Sequence, residues 1–262
     1  MAGTLYVVGV GPGDPRLLTL RAAQVLRDCP VWLAPSAFAR QSGKGENGGS
    51  TALTIAEGAV SSQGKTIIRQ QFPMKPVRRG LSGRTGDSGK AVAPEVIAAW
   101  RQAADVVLAH LARGEDVAFP TLGDPAIYST GLYLCETLRE IDAAIAMEII
   151  PGITAASSVA ALALQPLCLG DERLLIIPAA FDDADIRELL RLNQVAVFMK
   201  AHKALPRLIA LLDEFGLTEH AVLVERAGLD GQRIWTNIRE AADAELHYFS
   251  TMIVRKPQSL GD

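Results

Sequence analysis

Residues 120–130 have the sequence Pro120-Thr121-Leu122-Gly123-Asp124-Pro125-Ala126-Ile127-Tyr128-Ser129-Thr130. The run 116–119 before them predicts a buried strand, and the apolar residues of 127–141 recur at helical spacing. Asp124 can cap free N–H groups at a helix start, and Pro125 suits the first helical position because it has no N–H to lose. Gly123 permits a tight turn and leaves room for a ligand. We therefore predict a ligand-binding loop between a strand and a helix, the place where open α/β sheets bind ligands.

A second Gly-Asp-Pro sequence lies near the start of the chain, at 13–15. It follows the apolar run 5–10, which predicts a strand, and precedes the helical pattern of 17–27. One such copy fits an ordinary capped turn as well as a ligand site. Two copies, each between a predicted strand and a predicted helix, favour a ligand cleft.

The first loop differs from a dinucleotide-binding fingerprint, because Asp14 takes the place of the third glycine in Gly-x-Gly-x-x-Gly. Its carboxylate would repel the pyrophosphate that such a helix N-terminus binds. The chain also has no Gly-x-x-x-x-Gly-Lys phosphate loop. These features argue against a dinucleotide-dependent oxidoreductase and favour a ligand that is positively charged or lacks phosphates. S-adenosylmethionine, a sulfonium with an amino-acid tail, fits that description.

The composition sets further limits. The chain has 262 residues, 49% of them hydrophobic, which is enough for one large or two medium domains. The net charge of −3 gives no overall positive field, so we expect no nucleic-acid partner. No segment approaches the roughly 18 apolar residues of a membrane helix, no signal-peptide pattern begins the chain, and the three cysteines lack metal-ligand spacing. We therefore expect a cytoplasmic protein with no membrane partner and no metal site.

Strand and helix patterns alternate in the first half of the chain, and the second half becomes richer in strands. A boundary near 114–120 fits this change. It predicts two α/β domains, an N-terminal one of 1–116 and a C-terminal one of 117–262, with a cofactor cleft between them. In the second domain, Thr154 precedes a helix of small residues, and its hydroxyl can cap that helix or bind a ligand.

The segment 65–90 is strongly basic. Its only acidic residue is Asp87, and its seven basic residues are Lys65, Arg69, Lys75, Arg78, Arg79, Arg84 and Lys90. Such a charge can attract a polyanionic substrate. We predict that Arg69 and Lys75 bind the substrate, because they flank the apolar residues 72–74 and so suit a flat macrocycle that carries carboxylates. The glycine- and serine-rich part, 78–90, is instead typical of a solvated loop.

Three motifs, in this order along the chain, resemble the tetrapyrrole (corrin/porphyrin) methylase family. They are Val8-Gly9-Val10-Gly11-Pro12-Gly13-Asp14-Pro15-Arg16-Leu17-Leu18-Thr19-Leu20, Leu122-Gly123-Asp124-Pro125 and Pro151-Gly152-Ile153-Thr154-Ala155. The resemblance extends over nearly the whole chain. Within the family, the segments 72–74, 123–130, 198–200 and 248–250 are similar to the C20-methyltransferases of cobalamin synthesis, which act on precorrin-2 or cobalt-factor II.

This resemblance implies a two-domain α/β fold, a homodimer, and S-adenosyl-L-methionine held between the domains. The family's cofactor contacts correspond in this chain to Pro12, Leu122, Gly123, Asp124, Ile127, Thr154, Ala155, Met199 and Ala227. Many relatives have Gly-Gly-Asp-Pro where this chain has Leu122 before Gly123. Because the C20 group tolerates such a residue, this difference bears on the subfamily rather than on methyl transfer.

The implied reaction is direct displacement, in which an electron-rich meso carbon takes the methyl group from sulfur. A carboxylate against the sulfonium would stabilise the ground state more than the transition state. We therefore expect Asp124 to bind the cofactor's polar groups or to cap the helix, away from sulfur. Asp14 and Tyr128 are the candidates for removing the meso proton, and each also fits a structural or substrate-positioning role.

Several alternatives stay open at this point. They are methylation at another position of a precorrin or of uroporphyrinogen III, and a non-catalytic protein that binds the tetrapyrrole or S-adenosylmethionine. The sequence leaves undecided whether the substrate already carries cobalt, which group is the base, where the dimer interface lies, and what the insertion 78–90 does.

Overall fold

The computed structural model describes residues 2–37, 49–73, 93–179 and 181–257. The chain divides into two compact units. The first consists of Met1–Gly11 and Pro15–Ile153, and the second of Pro12–Asp14 and Thr154–Asp262. Each unit contains one five-stranded sheet.

Strands and helices alternate in the first unit. Its elements are β1 (Leu5–Gly9), α1 (Leu20–Asp28), β2 (Val31–Ala37), α2 (Thr51–Ala59), β3 (Thr66–Phe72), α3 (Pro94–Leu111), β4 (Val117–Thr121), α4 (Gly131–Ile141) and β5 (Met147–Ile150). The sheet order is β3-β2-β4-β1-β5, and every strand pair is parallel. Along the chain, β1, β2 and β3 step toward one edge of the sheet, and β3, β4 and β5 step back toward the other. Because each connection is right-handed, the helices of these two series lie on opposite faces of the sheet. Accordingly α1 contacts α2 and α3 contacts α4, so the helices that follow the central strands β1 and β4 lie on opposite faces of the sheet.

Aromatic side chains build the core on the face that α3 and α4 cover. Phe72 stacks on Trp100 with ring centroids 4.5 Å apart, and its edge meets Phe119 at 6.1 Å. Leu5, Val7 and Leu134 are buried in the same cluster. Because helices cover both faces of the sheet, the central strand β4 is buried along its whole length, which is why 117–119 is recognisable as a buried strand from sequence.

The helices that follow the two Gly-Asp-Pro sequences begin later than the sequence predicts. The prediction that Asp124 and Pro125 begin a helix is wrong, because α4 begins at Gly131. After Asp14, residues 15–17 form one turn of 3-10 helix, and α1 begins at Leu20. The cap of α1 is Thr19, whose hydroxyl accepts a hydrogen bond from the Ala22 N–H at 3.1 Å.

The second unit is a mixed α/β structure. Its elements are α5 (Ala155–Leu162), β6 (Leu174–Pro178), α6 (Asp183–Leu192), β7 (Val195–Met199), α7 (Leu205–Glu214), β8 (Ala221–Glu225), β9 (Arg233–Trp235) and β10 (Ser250–Arg255). The sheet order is β6-β7-β10-β8-β9. Among the strands that the structure describes, β6 and β7 are parallel neighbours, and the other pairs are antiparallel. The turn 228–231 lies in the hairpin that joins β8 to β9.

Both faces of the second sheet are buried. Ala196 and Phe198 of β7 lie in the cluster that includes α6 and α7. Val195 and Val197, which point to the opposite face, lie with α5. This alternation is the two-residue period of a strand, and the covering helices make both sets of positions apolar. The predicted α/β fold class is thus confirmed in each unit.

The division between the units differs from the predicted boundary at 116/117. β4 and β5 pair with β1 in the first sheet, so residues up to Ile153 belong to the first unit. Residues 12–14 belong to the second unit although they follow β1 closely in sequence. Strand pairing of β1 with residues more than a hundred positions later decides this division, and such pairing leaves no local signal in the sequence.

We expect Gly131→Ala to destabilise the first unit. A Cβ at Gly131 would lie 2.5 Å from Cγ1 of Val7, a fully buried side chain that has little room to move. Overpacking of this kind costs about 1–3 kcal/mol of the free energy of unfolding, which urea denaturation measures. In a Val7→Ala background the same substitution should cost less than about 1 kcal/mol, because the clashing methyl group is absent. Equal costs in both backgrounds would contradict this packing account.

Candidate functional site

In the first unit, the loops that follow β1 and β4 are joined by backbone hydrogen bonds. The Gly11 N–H donates to the Gly123 carbonyl at 3.2 Å, and the Gly123 N–H donates to the Gly11 carbonyl at 2.7 Å. Both residues have positive φ, 76° and 73°, a region in which glycine has no steric penalty. The structure thus brings parts of the two predicted ligand loops together at the carboxyl ends of neighbouring strands.

The backbone at this edge is packed so closely that side chains are excluded. A Cβ on Gly9 would lie 2.7 Å from the Gly152 nitrogen and 2.8 Å from Cδ of Pro125. A Cβ on Gly152 would lie 2.3 Å from the Gly123 carbonyl oxygen. The loops after β1, β4 and β5 therefore touch through their backbones, and only glycine fits at Gly9 and Gly152.

Asp124 connects two of these loops through its carboxylate. Oδ1 accepts a hydrogen bond from the Ala126 N–H at 2.7 Å, and Oδ2 accepts one from the Gly152 N–H at 2.8 Å. The first bond closes a local turn, and the second links the loop after β4 to the loop after β5. Because an ionised carboxylate can accept about four hydrogen bonds, Asp124 keeps acceptor capacity for a ligand.

The rest of the second loop leads into α4. The Oγ of Ser129 accepts a hydrogen bond from the N–H of Gly131, the first residue of α4, at 3.0 Å and lies 2.9 Å from Oγ1 of Thr121. Leu122 and Ile127 are partly buried on the loop. Tyr128 is 51% exposed and has a φ of 51°, a strained conformation for a residue with a side chain.

Burial raises the pKa of the Tyr128 phenol above its ordinary value. The phenol is therefore neutral through the physiological pH range, and in that form it is a hydrogen-bond donor rather than a base. A neutral phenol fits the predicted role of Tyr128 in positioning the substrate, and it does not fit removal of the meso proton.

Of the two predicted substrate-binding cations, the structure describes Arg69, and no described interaction joins it to these loops. Arg69 lies on the edge strand β3, three residues before its end, and is exposed. Lys75 and the insertion 78–90 lie outside the described residues.

In the second unit, residues 12–14 pack against the turn that follows β8. A Cβ on Gly13 would lie 2.3 Å from the Ala227 carbonyl oxygen, and a Cβ on Gly228 would lie 2.7 Å from the Asp14 nitrogen. Pro12 and Ala227 are buried. The structure therefore brings the backbone of residues 13–14 against that of 227–228, and so places two of the predicted residues, Asp14 and Ala227, close together.

Thr154 caps α5, as one of its two predicted roles requires. Its Oγ1 accepts a hydrogen bond from the Ser157 N–H at 3.0 Å and lies 2.9 Å from the Ser157 hydroxyl. The cap leaves the N–H groups at the start of the helix, at Ala155 and Ala156, without a partner inside the helix. Such groups attract anions.

Met199 ends β7, and Ala227 follows β8 by two residues. β7 and β8 run in the same direction, because each is antiparallel to β10 between them. Their carboxyl ends therefore lie at one edge of the sheet, together with the start of β10. The N–H of Arg226, just after β8, donates to the carbonyl of Phe249, just before β10, at 2.7 Å. This bond holds the two chain segments together at the same edge.

A buried carboxylate supports this edge. Glu225 is 2% exposed, and its oxygens accept hydrogen bonds from Nε of Arg233 at 2.6 Å and from the His247 N–H at 2.5 Å. Burial raises the pKa of the Glu225 carboxyl, and the hydrogen bonds from Arg233 and His247 outweigh it, so the pKa is lowered overall. The ionised carboxylate thus holds both β9 and residue 247 in place.

Four of these residues were not identified from sequence: Ser129, Gly152, Glu225 and His247. Ser129 and Gly152 lie within motifs, but Ser129 falls inside the helical pattern of 127–141 and gives no separate signal of its hydrogen bond to Gly131. Glu225 gives no such signal, because its partners are distant in sequence and only the fold makes it buried.

Within the described residues, no helix is both long and apolar enough to cross a membrane. In the same part of the chain, no group of three or more His, Cys, Asp or Glu side chains is placed to hold a metal ion.

Comparison with known proteins agrees with this architecture. The family model of Tetrapyrrole (Corrin/Porphyrin) Methylases matches residues 4–242. The chain is 33% identical to a cobalt-precorrin-2 C(20)-methyltransferase of Salmonella typhimurium over 259 residues, which are 98% of each protein. It is 32% identical to a precorrin-2 C(20)-methyltransferase of Sinorhizobium sp over 252 residues, 96% of this chain and 95% of the relative.

Solved structures share the fold at lower identity. A cobalt precorrin-4 methyltransferase superposes with a TM-score of 0.66 at 17% identity, covering 96% of this chain and 94% of that one. A uroporphyrin-III C-methyltransferase from Thermus thermophilus, in complex with S-adenosyl homocysteine, gives 0.61 at 19% identity, covering 97% of both chains. With the family model matched over most of its length, the chain belongs to the tetrapyrrole (corrin/porphyrin) methylase family.

Proposed function

We propose that this chain is an S-adenosyl-L-methionine-dependent methyltransferase that adds a methyl group at C20 of precorrin-2 or of cobalt-factor II in cobalamin biosynthesis. The observation that carries the proposal is the likeness to two C(20)-methyltransferases at 33% and 32% identity over nearly the whole chain. The segments that resemble the C20 group support the same assignment.

The residues at the two loops fit a cationic cofactor. Segments 9–15 and 121–130 contain two aspartates and no lysine or arginine, so they lack the cations that would neutralise nucleotide phosphates. At Gly9, Gly13 and Gly152 the backbone is packed too closely for a side chain. The polar groups at these positions are therefore peptide N–H and C=O groups. Such a surface suits a sulfonium compound better than a dinucleotide.

In the first unit, we propose Leu122, Gly123, Asp124 and Ile127 as cofactor contacts. Leu122 and Ile127 are partly buried and offer apolar surface. The Asp124 carboxylate, held by the Ala126 and Gly152 N–H groups, can accept a hydrogen bond from a hydroxyl or an ammonium group.

In the second unit, we propose Pro12, Thr154, Ala155, Met199 and Ala227 as cofactor contacts. Thr154 fixes the start of α5 by accepting the Ser157 N–H. The unpaired N–H groups of the first turn, including that of Ala155, suit a carboxylate such as that of the methionine part. Met199 and Ala227 lie at the carboxyl edge of the second sheet.

When bound, S-adenosylmethionine supplies a methyl group on a positively charged sulfur. The chain's own residues contribute binding and orientation, because holding reactants in position removes much of the entropic barrier. Asp124 acts at the polar groups of the cofactor, since a carboxylate against sulfur would stabilise the charged ground state.

Asp14 and Tyr128 are the proposed residues near the reacting carbon. The carboxylate of Asp14 can accept the meso proton that leaves after methylation. Tyr128, kept neutral by its raised pKa, is proposed to donate a hydrogen bond that positions the tetrapyrrole. Arg69 and Lys75 are proposed to bind the substrate's carboxylates. A homodimer and a cytoplasmic location stay predictions.

We expect label to pass from methyl-labelled S-adenosylmethionine to the macrocycle of precorrin-2, of cobalt-factor II, or of both. Mass spectrometry should show the gain of one methyl group, and NMR should place it at C20. Comparing the two substrates decides whether cobalt precedes methylation. Label at another carbon would show that the enzyme methylates that position instead of C20. Label only in uroporphyrinogen III would show that uroporphyrinogen III is the substrate. Binding of the cofactor with no transfer to any of these macrocycles would indicate a non-catalytic binder.

We expect Asp124→Asn to weaken binding of S-adenosylhomocysteine about tenfold, measured by calorimetry, because the amide turns an N–H group toward one of the two backbone donors. The unpaired donor should also lower the free energy of unfolding by about 1–3 kcal/mol. The matched control is Asp142→Asn, since Asp142 makes the same local bond, to the Ala144 N–H at 2.8 Å. That control should leave binding unchanged. Unchanged affinity in Asp124→Asn would remove Asp124 from the proposed contacts.

We expect Tyr128→Phe to lower kcat/KM for the tetrapyrrole about tenfold without changing the shape of its pH profile between pH 6 and 9. The reason is that the raised pKa of Tyr128 keeps the phenol neutral over this range, so its titration does not limit the rate there. Loss of an ionisation from the profile in the variant would show that Tyr128 acts as the base instead.

A further inference from the structure

A lysine and an aromatic ring form a cluster at the carboxyl edge of the second sheet. The ammonium of Lys200 lies 5.2 Å from the centroid of the Tyr248 ring. The His202 ring meets the same ring edge-on at 5.5 Å. Lys200 directly follows Met199, one of the proposed cofactor contacts, and is exposed.

The backbone of Lys200 is in a strained conformation that fixes its direction. Its φ and ψ are 60° and 40°, in the left-handed region that residues with side chains rarely adopt. Arg226 at the end of β8 has a φ of 52°, so two cationic residues with this conformation follow parallel strands at one edge. Strained residues of this kind concentrate at functional sites.

Hydrogen bonds on both sides of Tyr248 hold its backbone in place, and its ring packs against the Phe249 ring with centroids 5.5 Å apart. The His247 N–H donates to the buried Glu225 at 2.5 Å, and the Phe249 N–H donates to Nδ1 of His247 at 3.1 Å. The Phe249 carbonyl accepts the Arg226 N–H at 2.7 Å. The segment 247–249 is therefore attached to the end of β8, and the ring provides a fixed surface for the Lys200 ammonium.

The Lys200 charge is available to a ligand. Among the described residues, no carboxylate is within ion-pair distance of its ammonium. A ring face holds a cation without using its three N–H donors. An exposed, oriented ammonium at a sheet edge is suited to a carboxylate group, and the proposed tetrapyrrole substrates carry several.

We propose that Lys200 is a substrate-binding residue that pairs with a carboxylate side chain of the tetrapyrrole, with Tyr248 holding the ammonium in position. The proposal rests on the proposed function for the identity of the substrate, and it adds a cation in the second unit to Arg69 and Lys75 of the first.

The test compares Lys200→Met with Lys203→Met, which removes the same charge three residues away from an exposed position. Lys200→Met should raise KM for the tetrapyrrole about 5- to 20-fold, with kcat within about twofold and the Kd for S-adenosylhomocysteine unchanged. Lys200→Arg keeps the positive charge, so its KM should stay within about threefold of the wild-type value. Lys203→Met should change none of these values.

An unchanged KM in Lys200→Met, or an equal rise in Lys203→Met, would overturn the proposal. Thermal denaturation checks the folding of each variant. If Lys200→Met fails to fold, Lys200→Gly removes the charge with a residue that favours a φ of 60°, and the same rise in KM is expected.

A second probe separates this proposal from the proposed function. Uroporphyrin III is a stable tetrapyrrole polycarboxylate, and quenching of tryptophan fluorescence reports its binding without turnover. If the wild type methylates no precorrin, the proposed function fails, but weaker binding of uroporphyrin III only in Lys200→Met would still support the carboxylate subsite. Equal binding by the wild type and both Met variants would overturn it.

Discussion

Close contact between backbones at the ends of β1, β4 and β5 is the constraint on which the first unit depends. Gly9 and Gly152 leave no space for a Cβ, so the three loops can approach until their peptide groups touch. Asp124 then satisfies the Gly152 N–H that this contact would otherwise leave unpaired. An amide in its place would present a donor to one of the two N–H groups, of Ala126 and Gly152, that the carboxylate accepts. The loop is therefore fixed before any ligand arrives, and Leu122, Ile127 and Tyr128 take defined positions on it.

The second unit fixes its edge by different means. Lys200 and Arg226 leave their strands in the left-handed region, and the buried Glu225 attaches β9 and residue 247 to the end of β8. Strain at two residues is offset by hydrogen bonds and by the burial of both sheet faces. This arrangement leaves cationic and aromatic side chains at the edge, whereas the first unit presents a carboxylate and closely packed glycines.

The two aspartate loops explain why a tetrapyrrole methylase resembles, but differs from, a dinucleotide-binding protein. Both kinds of protein place a glycine-rich loop after a parallel strand. A phosphate ligand needs free N–H groups at a helix N-terminus directly after the loop, but here the helices begin later, at Leu20 and Gly131. The acidic residue and the displaced helix together remove the features that bind pyrophosphate, and they favour the cationic methyl donor proposed for this family member.

The sequence alone determined the fold class, the strands and the family, because period, apolar runs and the three motifs are local features that need no partner to be recognised. It did not determine the helix starts after the Gly-Asp-Pro sequences, where Asp124 bonds to Gly152 instead of capping α4. It also did not determine the boundary of the units or the roles of Glu225, Lys200 and Tyr248. Only the tertiary structure decided these points. Each depends on which segments, distant in sequence, come together in the fold. The contacts that stabilise such a pair are made by two residues far apart in the chain, and neither residue has a local sequence pattern that identifies the other.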